Sequence, residues 1–224
     1  MSPRRALVLA IFVASIGGLA PEQAAAALSE DDRRIVRRIE SYLNGIRTLT
    51  ARFVQEERDG WIAEGYLHLQ RPGKLRIEYA PPHRFLILST GRMLIVYSGK
   101  TDQVTHLPMS VSPAAFLLGK TVDLSRDVSV TRVRRGANTY VLTVVPRSGA
   151  RAGQLRLTFS RKPFAIKEWT VLDAKRKATR IVLLDPMIDA PIDPVKFMFQ
   201  KPPAQSGRSA ARSGKVKRMD LPPN

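Results

Sequence analysis

Between Leu49 and Phe199 the chain reads almost wholly as short strand-like stretches, some alternating apolar with polar residues, punctuated by glycine, proline, asparagine or aspartate. A period of two sends successive side chains to opposite faces of a strand, and connections this short favour antiparallel neighbours. The expected strands are Ile62 to Gln70, Lys74 to Ala80, Phe85 to Ser89, Met93 to Ser98, Gln103 to Leu107, Val128 to Arg134, Tyr140 to Val145, Gln154 to Ser160, Ala165 to Leu172, Thr179 to Leu184 and Lys196 to Phe199. Gly73, Gly91, Gly99, the turn from Gly136 to Asn138, Gly153, Pro163 and Asp185-Pro186 separate them. Neither a nucleotide-binding glycine fingerprint nor an alternation of strands with helices is present, which argues against a doubly wound parallel sheet.

Two segments depart from this pattern. Ser29 followed by Glu30, Asp31 and Asp32 is a helix start, with a capping oxygen and acidic residues at the positive end of the dipole. The helix is expected from about Asp31 to Ile46, with Ile35, Val36, Ile39, Tyr42, Leu43 and Ile46 in one apolar stripe opposite Arg33, Arg34, Arg37 and Glu40. A strand leads out of it, with Leu49, Ala51, Phe53 and Gln55 on one face. The second segment runs from Ser112 to Gly119, with a capping Ser, Pro113 at the first helical position and Gly119 at the stop. Both helices are greasy enough to require cover. They form either a lid over one face of a curved sheet or a plug that completes an ordinary core.

The termini place the molecule. Arg4 and Arg5 precede an apolar run from Ala6 to Ile16 and then small residues, the pattern of a secretory signal peptide, with cleavage expected near Ala27. The run is shorter than the roughly 20 residues a membrane-spanning helix needs. About 200 residues would then remain, enough for one domain with a sizeable core. That domain is expected over 28–200, followed by a basic tail over 201–224 that lacks an apolar pattern. With no cysteine, neither a disulfide nor a lipid-modified N-terminal cysteine is available.

The formal net charge is +18. In a cytoplasmic chain it would point to nucleic acid, but export weakens that reading and the basic residues are scattered. Anionic lipid headgroups, an acidic protein partner or solubility alone fit such a surface better. Little argues for catalysis. His68, His83 and His106 are isolated, and His-Glu-x-x-His, Gly-x-Ser-x-Gly and a cysteine nucleophile are all missing. Carboxylate pairs such as Asp189 with Asp193, or Glu56 with Glu57, read as solvated surface, and Trp61 and Trp169 as strand packing residues. An enzyme is not expected, nor is a metal or other cofactor.

The stretch from Gly65 to Pro82, GYLHLQRPGKLRIEYAPP, carries a more specific signal. With it come Phe53-Val54-Gln55, Gly91 before Leu94 and Tyr97, Gln103-Val104-Thr105, the Ser112 to Leu118 helix, Asp173 before Thr179, and Phe197-Met198-Phe199 before Pro202-Pro203. In this order they resemble the LolA-type periplasmic lipoprotein carriers of Gram-negative bacteria. The resemblance implies a mainly β fold with lid helices: an incomplete antiparallel β-barrel, or strongly curved half-barrel, enclosing a hydrophobic cavity covered by helices.

It also implies a monomeric carrier in the periplasm. Acylated lipoproteins are received from an inner-membrane ABC transporter and passed to an outer-membrane acceptor, with possible transient contact with an anionic membrane surface and no role for nucleic acid. Phe53, Leu67, Leu69, Leu75, Ile77, Tyr79, Leu86, Leu88 and Met93, facing Phe116, Leu117, Leu118 and the stripe of the first helix, are the candidate cavity lining. Parity groups them by strand but does not say which face points inward, and each reads equally well as core. In such carriers the arginine of the Arg-Pro pair is associated with opening and closing the lid, which makes Arg71 the candidate gate; the bland alternative is a solvated strand-end arginine. Leu75 stands where relatives often carry an aromatic. A carrier of another lipid on the same fold, a sensor of acyl chains or envelope polymers, and a binder of polyanions are the competing readings.

Overall fold

In the computed structural model the described residues are 28–57, 60–112, 114–147, 153–173 and 177–202. The expected signal sequence, Pro113 and most of the basic tail lie outside them. Helix α1 spans Glu30–Gly45 and starts as its sequence dictates, with the Ser29 hydroxyl accepting from the Asp32 amide at 3.1 Å. Eleven strands follow: β1 Thr48–Glu57, β2 Ile62–Gln70, β3 Lys74–Tyr79, β4 Phe85–Thr90, β5 Met93–Ser98, β6 Gln103–Pro108, β7 Val128–Arg135, β8 Thr139–Pro146, β9 Gln154–Arg161, β10 Phe164–Leu172 and β11 Ala178–Ile188.

They form one antiparallel sheet in the order β6-β5-β4-β3-β2-β1-β11-β10-β9-β8-β7. Two consecutive meanders are joined where β1 pairs with β11, with Phe53 opposite Leu183. The sheet is not closed into a barrel, since β6 and β7 are its free edges. Register shifts between Thr50 and Arg52, Val130 and Arg132, and Ile166 and Glu168 mark bulges, which bend strands and strengthen their twist.

The main core lies on the inner face, the one covered by α1. Ile39 and Leu43 of α1 are buried against residues such as Phe53, Leu67, Leu157, Phe159 and Ile181. Tyr42 meets Phe159 and Phe164 edge-on, at 5.9 and 5.3 Å between ring centres. The helix is also tied to the loop before β7. Asn44 donates to the Val122 carbonyl and accepts from its amide, both at 2.8 Å, and Glu40 accepts from the Leu124 amide at 2.7 Å. Gly65 has a packing reason: a Cβ there would sit 2.3 Å from the Glu78 carbonyl oxygen and 2.6 Å from the Phe53 ring.

A second, smaller core occupies the opposite face, where Leu86, Leu88 and Tyr97 are fully buried with Ile95 packed on them. The chain after β11 crosses this face. Arg76 donates to the carbonyls of Lys196 and Met198 at 3.3 Å, and Arg84 donates to that of Pro202 at 3.3 Å and to the Tyr97 hydroxyl at 2.8 Å. The strand expected over Lys196 to Phe199 is a 3-10 turn instead, Pro194–Phe197. Asp193 caps it by accepting from the Val195 amide, and proline at the start forgoes only an amide that a helix leaves unpaired.

Candidate functional site

An apolar cavity of about 290 Å³ lies between the inner face, the C-terminal end of α1 and the segment after β6. That segment is two short 3-10 turns, Met109–Val111 and Ala115–Leu118, rather than one continuous helix. The Ser112 hydroxyl accepts from the Ala114 amide at 3.3 Å, and Gly119 ends the second turn with its amide on the Phe116 carbonyl. Leu117 and Leu118 face the cavity from above, Leu43 and Ile46 from α1, and Leu67, Leu69, Leu75, Ile77 and Ile87 from β2, β3 and β4. The floor continues through Ile166, Trp169, Val171, Thr179 and Ile181 of β10 and β11.

Arg71 holds the covering elements together. It follows β2 and donates from Nε to the Leu117 carbonyl at 2.8 Å and from Nη1 to the Leu43 carbonyl at 2.5 Å. Leu43 is in the last turn of α1, where a cation is favoured, and its carbonyl also accepts from the capping Ile46 amide at 3.3 Å. Next to it, the Gly73 amide donates to Leu118 at 2.8 Å and the Arg71 amide to Arg47 at 2.9 Å. No carboxylate among the described residues pairs with Arg71. Its guanidinium is held by neutral carbonyls alone, and burial pushes its pKa down.

Beside the apolar cavity is an open vestibule of about 750 Å³, lined by Glu57, Trp61, Tyr79, His83, Arg84, Phe85 and Lys100 among others. Gln55 lines both spaces and stands as a wall between them. The Tyr79 hydroxyl donates to Gln55 Oε1 at 2.5 Å, and burial pushes the Tyr79 phenol up to about 12. Trp61 and His83 meet edge-on at 4.9 Å. An apolar pocket beside a polar rim suits an amphiphile whose tail and head want different surroundings.

Of the residues singled out from sequence, Leu67, Leu69, Leu75, Ile77, Leu117, Leu118 and Arg71 border the cavity. Phe53 and Tyr79 share the inner face but pack edge-on against each other in the adjoining core, 5.2 Å between ring centres. Phe116 turns to a separate groove with Lys120, Arg126 and Arg147. Leu86, Leu88 and Met93 are a correction. Ile77 pairs with Ile87 and Arg76 with Leu88, so Leu86 and Leu88 belong to the outer core. Met93 has the parity of Ile95 and Tyr97 and is 39 % exposed.

Ile87, Leu94 and the β10–β11 residues were not anticipated as lining. Ile166 and Trp169 are three apart, which in a regular strand would put them on opposite faces; the bulge between Ile166 and Glu168 brings them onto one. The three histidines are dispersed: His68 against the Thr50 hydroxyl, His83 against Trp61, and His106 on edge strand β6.

The family model described as "Outer membrane lipoprotein carrier protein LolA" matches residues 44–200. An outer-membrane lipoprotein carrier protein of Pseudomonas aeruginosa is 28% identical over 207 residues, covering 88% of this chain and 96% of the relative. One from Coxiella burnetii is 26% identical over 204 residues, covering 86% and 91%. A solved LolA superfamily protein from Nitrosomonas europaea aligns with a TM-score of 0.39 at 11% identity, over 71% of this chain and 96% of that one.

Proposed function

The chain belongs to the family of outer membrane lipoprotein carrier proteins, LolA, and on that premise we propose that it is a non-catalytic periplasmic chaperone for acylated lipoproteins. It takes cargo released from the inner membrane by an ABC transporter and delivers it to an acceptor at the outer membrane, after losing residues 1–27 on export. Transfer without a carrier is unfavourable because each CH₂ withdrawn from a bilayer costs about 0.8 kcal/mol in water.

The observation that carries this reading is the apolar cavity, covered by elements tied to Arg71 and sharing Gln55 as a wall with a polar-rimmed vestibule. Acyl chains occupy the cavity, and the polar end of the lipoprotein leaves through the vestibule past Trp61 and His83. At about 290 Å³ the cavity lies at the foot of the ~300–1,000 Å³ range of drug-sized ligand sites. Several acyl chains need more room, so the described state is the closed one, and loading requires the covering turn and α1 to separate. Arg71 is the gate: its bonds to Leu117 and Leu43 hold the closed form, and cargo biases the equilibrium toward the open one. Its small closed volume also keeps a single-chain lipid in play as an alternative cargo.

Trp169 lines the cavity and Trp61 the vestibule, so intrinsic fluorescence reports on both. Titration with a triacylated lipopeptide is expected to shift the emission, with little dependence on salt, and Trp169→Phe removes most of the shift. An equal response to the deacylated peptide contradicts the carrier reading. Response to a free fatty acid but not to the lipopeptide favours the lipid carrier.

A further inference from the structure

Outside the cargo cavity, α1 and strands β7, β8 and β9 flank an open cleft of about 340 Å³ walled by Asp31, Arg34, Arg38, Arg135, Tyr140 and Arg161. We infer that this cleft is a recognition site for a phosphate-ester oxyanion.

The arginines fall into two classes. Arg135 is committed to α1, donating to Asp32 at 2.7 Å, to Asp31 at 3.3 Å and to the Ser29 hydroxyl at 3.3 Å. Arg34 pairs with Asp31. Arg38 and Arg161 instead lie over aromatic rings, Arg38 at 4.3 Å from the centre of Phe164 and Arg161 at 5.0 Å from that of Tyr140. The two rings are themselves 6.4 Å apart, so both guanidiniums belong to one cleft. Among the described residues, no carboxylate pairs with either. Arg161 spends one nitrogen on the Gly136 and Ala137 carbonyls, at 3.3 and 3.2 Å.

Stacking fixes the plane of a guanidinium while leaving its edge donors free, so much of the ordering cost of binding is met before a ligand arrives. Two forks converging on one cleft suit an anion with several oxygens. A carboxylate satisfies one fork bidentately, whereas a phosphate ester can receive both. Arg33 and Arg37, on the same helix, provide the contrast: both are bound to Glu30 and offer no open cleft.

Phosphate esters reach an exported protein either as the headgroups of anionic lipid or as free solutes. The test uses the full mature chain with phosphatidylglycerol vesicles, phosphatidylcholine vesicles and soluble glycerol 3-phosphate, following cosedimentation for vesicles and calorimetry for the solute. Arg38→Gln with Arg161→Gln is expected to weaken binding roughly tenfold or more, because both open guanidinium forks of the cleft are lost. Arg33→Gln with Arg37→Gln removes the same charge outside the cleft and is expected to change binding less than about twofold, because neither side chain lines it. Arg38→Lys with Arg161→Lys keeps the charge and recovers only part of the affinity, a readout that diffuse attraction would not produce. Binding confined to phosphatidylglycerol vesicles identifies the lipid as the source, and binding of glycerol 3-phosphate identifies the solute; both support the site. Equal losses in the two glutamine pairs, or no binding in any arm, overturn it.

Discussion

Arg71 Nε and the Leu117 carbonyl, 46 residues apart in sequence, are joined by a 2.8 Å hydrogen bond across the top of an apolar cavity. The same side chain reaches Leu43 in the last turn of α1, so one guanidinium ties both covering elements to the end of β2. Hydrogen bonds to a charged group are worth about 1.5–3 kcal/mol each, offset by the cost of burying a charge with no counterion.

Removing this tie should loosen the cover more than the sheet. Arg71→Leu is expected to speed amide exchange in residues 115–119 and in the last turn of α1, with Leu157 and Phe159 in the buried middle of β9 unchanged. Global stability should fall by only about 1–3 kcal/mol, because the lost bonds are partly offset by relief of desolvation. Exchange mass spectrometry showing uniform change over the whole chain would count against a local gate.

Opposite faces of the sheet should respond differently to charge. Leu69→Asp puts a carboxylate into the cavity and is expected to abolish binding of a fluorescent acyl probe. Met93→Asp, on an exposed outer position, should leave binding unchanged. The probe's dissociation constants for the two variants decide the assignment.

Gly65→Ala tests how β2 packs. The new Cβ meets a backbone oxygen at 2.3 Å and the fully buried Phe53 ring at 2.6 Å, and the oxygen has little freedom to retreat. A loss of about 1–3 kcal/mol or more in urea unfolding is expected, as for overpacked cores generally. Gly45→Ala, where nothing lies within 4 Å of the new Cβ, should not destabilise.

Tyr79 makes the alkaline limb of stability specific. Its phenol is pushed up to about 12 from the ordinary 10.0 by burial, with Glu57 adding to the effect. The contribution is fully present below pH 10. It is lost between about pH 10 and 12, where the unfolded chain gives up the proton first, amounting to roughly 2–3 kcal/mol. Tyr79→Phe should flatten that part of the stability curve, measured by denaturant unfolding at successive pH values.

Most of the architecture was legible because its signals are local. Apolar stretches punctuated by turn residues marked ten strands after β1, Ser29 marked the start of α1, and Gly65 and the Arg71-Pro72-Gly73 turn marked the family pattern. What the sequence hid depends on contacts distant along the chain. Phe85 to Ser89 and Met93 to Ser98 are apolar at consecutive positions because Leu86, Leu88, Ile95 and Tyr97 pack in an outer core, part of whose cover is the segment near Pro202. Alternation therefore had nothing to say about Leu86, Leu88 and Met93. In β10 a bulge resets parity between Ile166 and Trp169, so the strand's contribution to the cavity was invisible to strict counting. Nothing local in the sequence marks Arg38 and Arg161, because the rings beneath them, Phe164 and Tyr140, come from other elements of the fold.

The central claim is a gated carrier of acylated protein. The most direct measurement is native mass spectrometry, with lipid and protein identification, on the mature protein and its Arg71→Leu variant purified from the periplasm that produces them. A co-purifying acylated lipoprotein is expected, retained in larger amount by the variant because opening and closing are no longer coupled to transfer. Empty protein in both preparations, or a bound polyanion in place of acylated cargo, would contradict it.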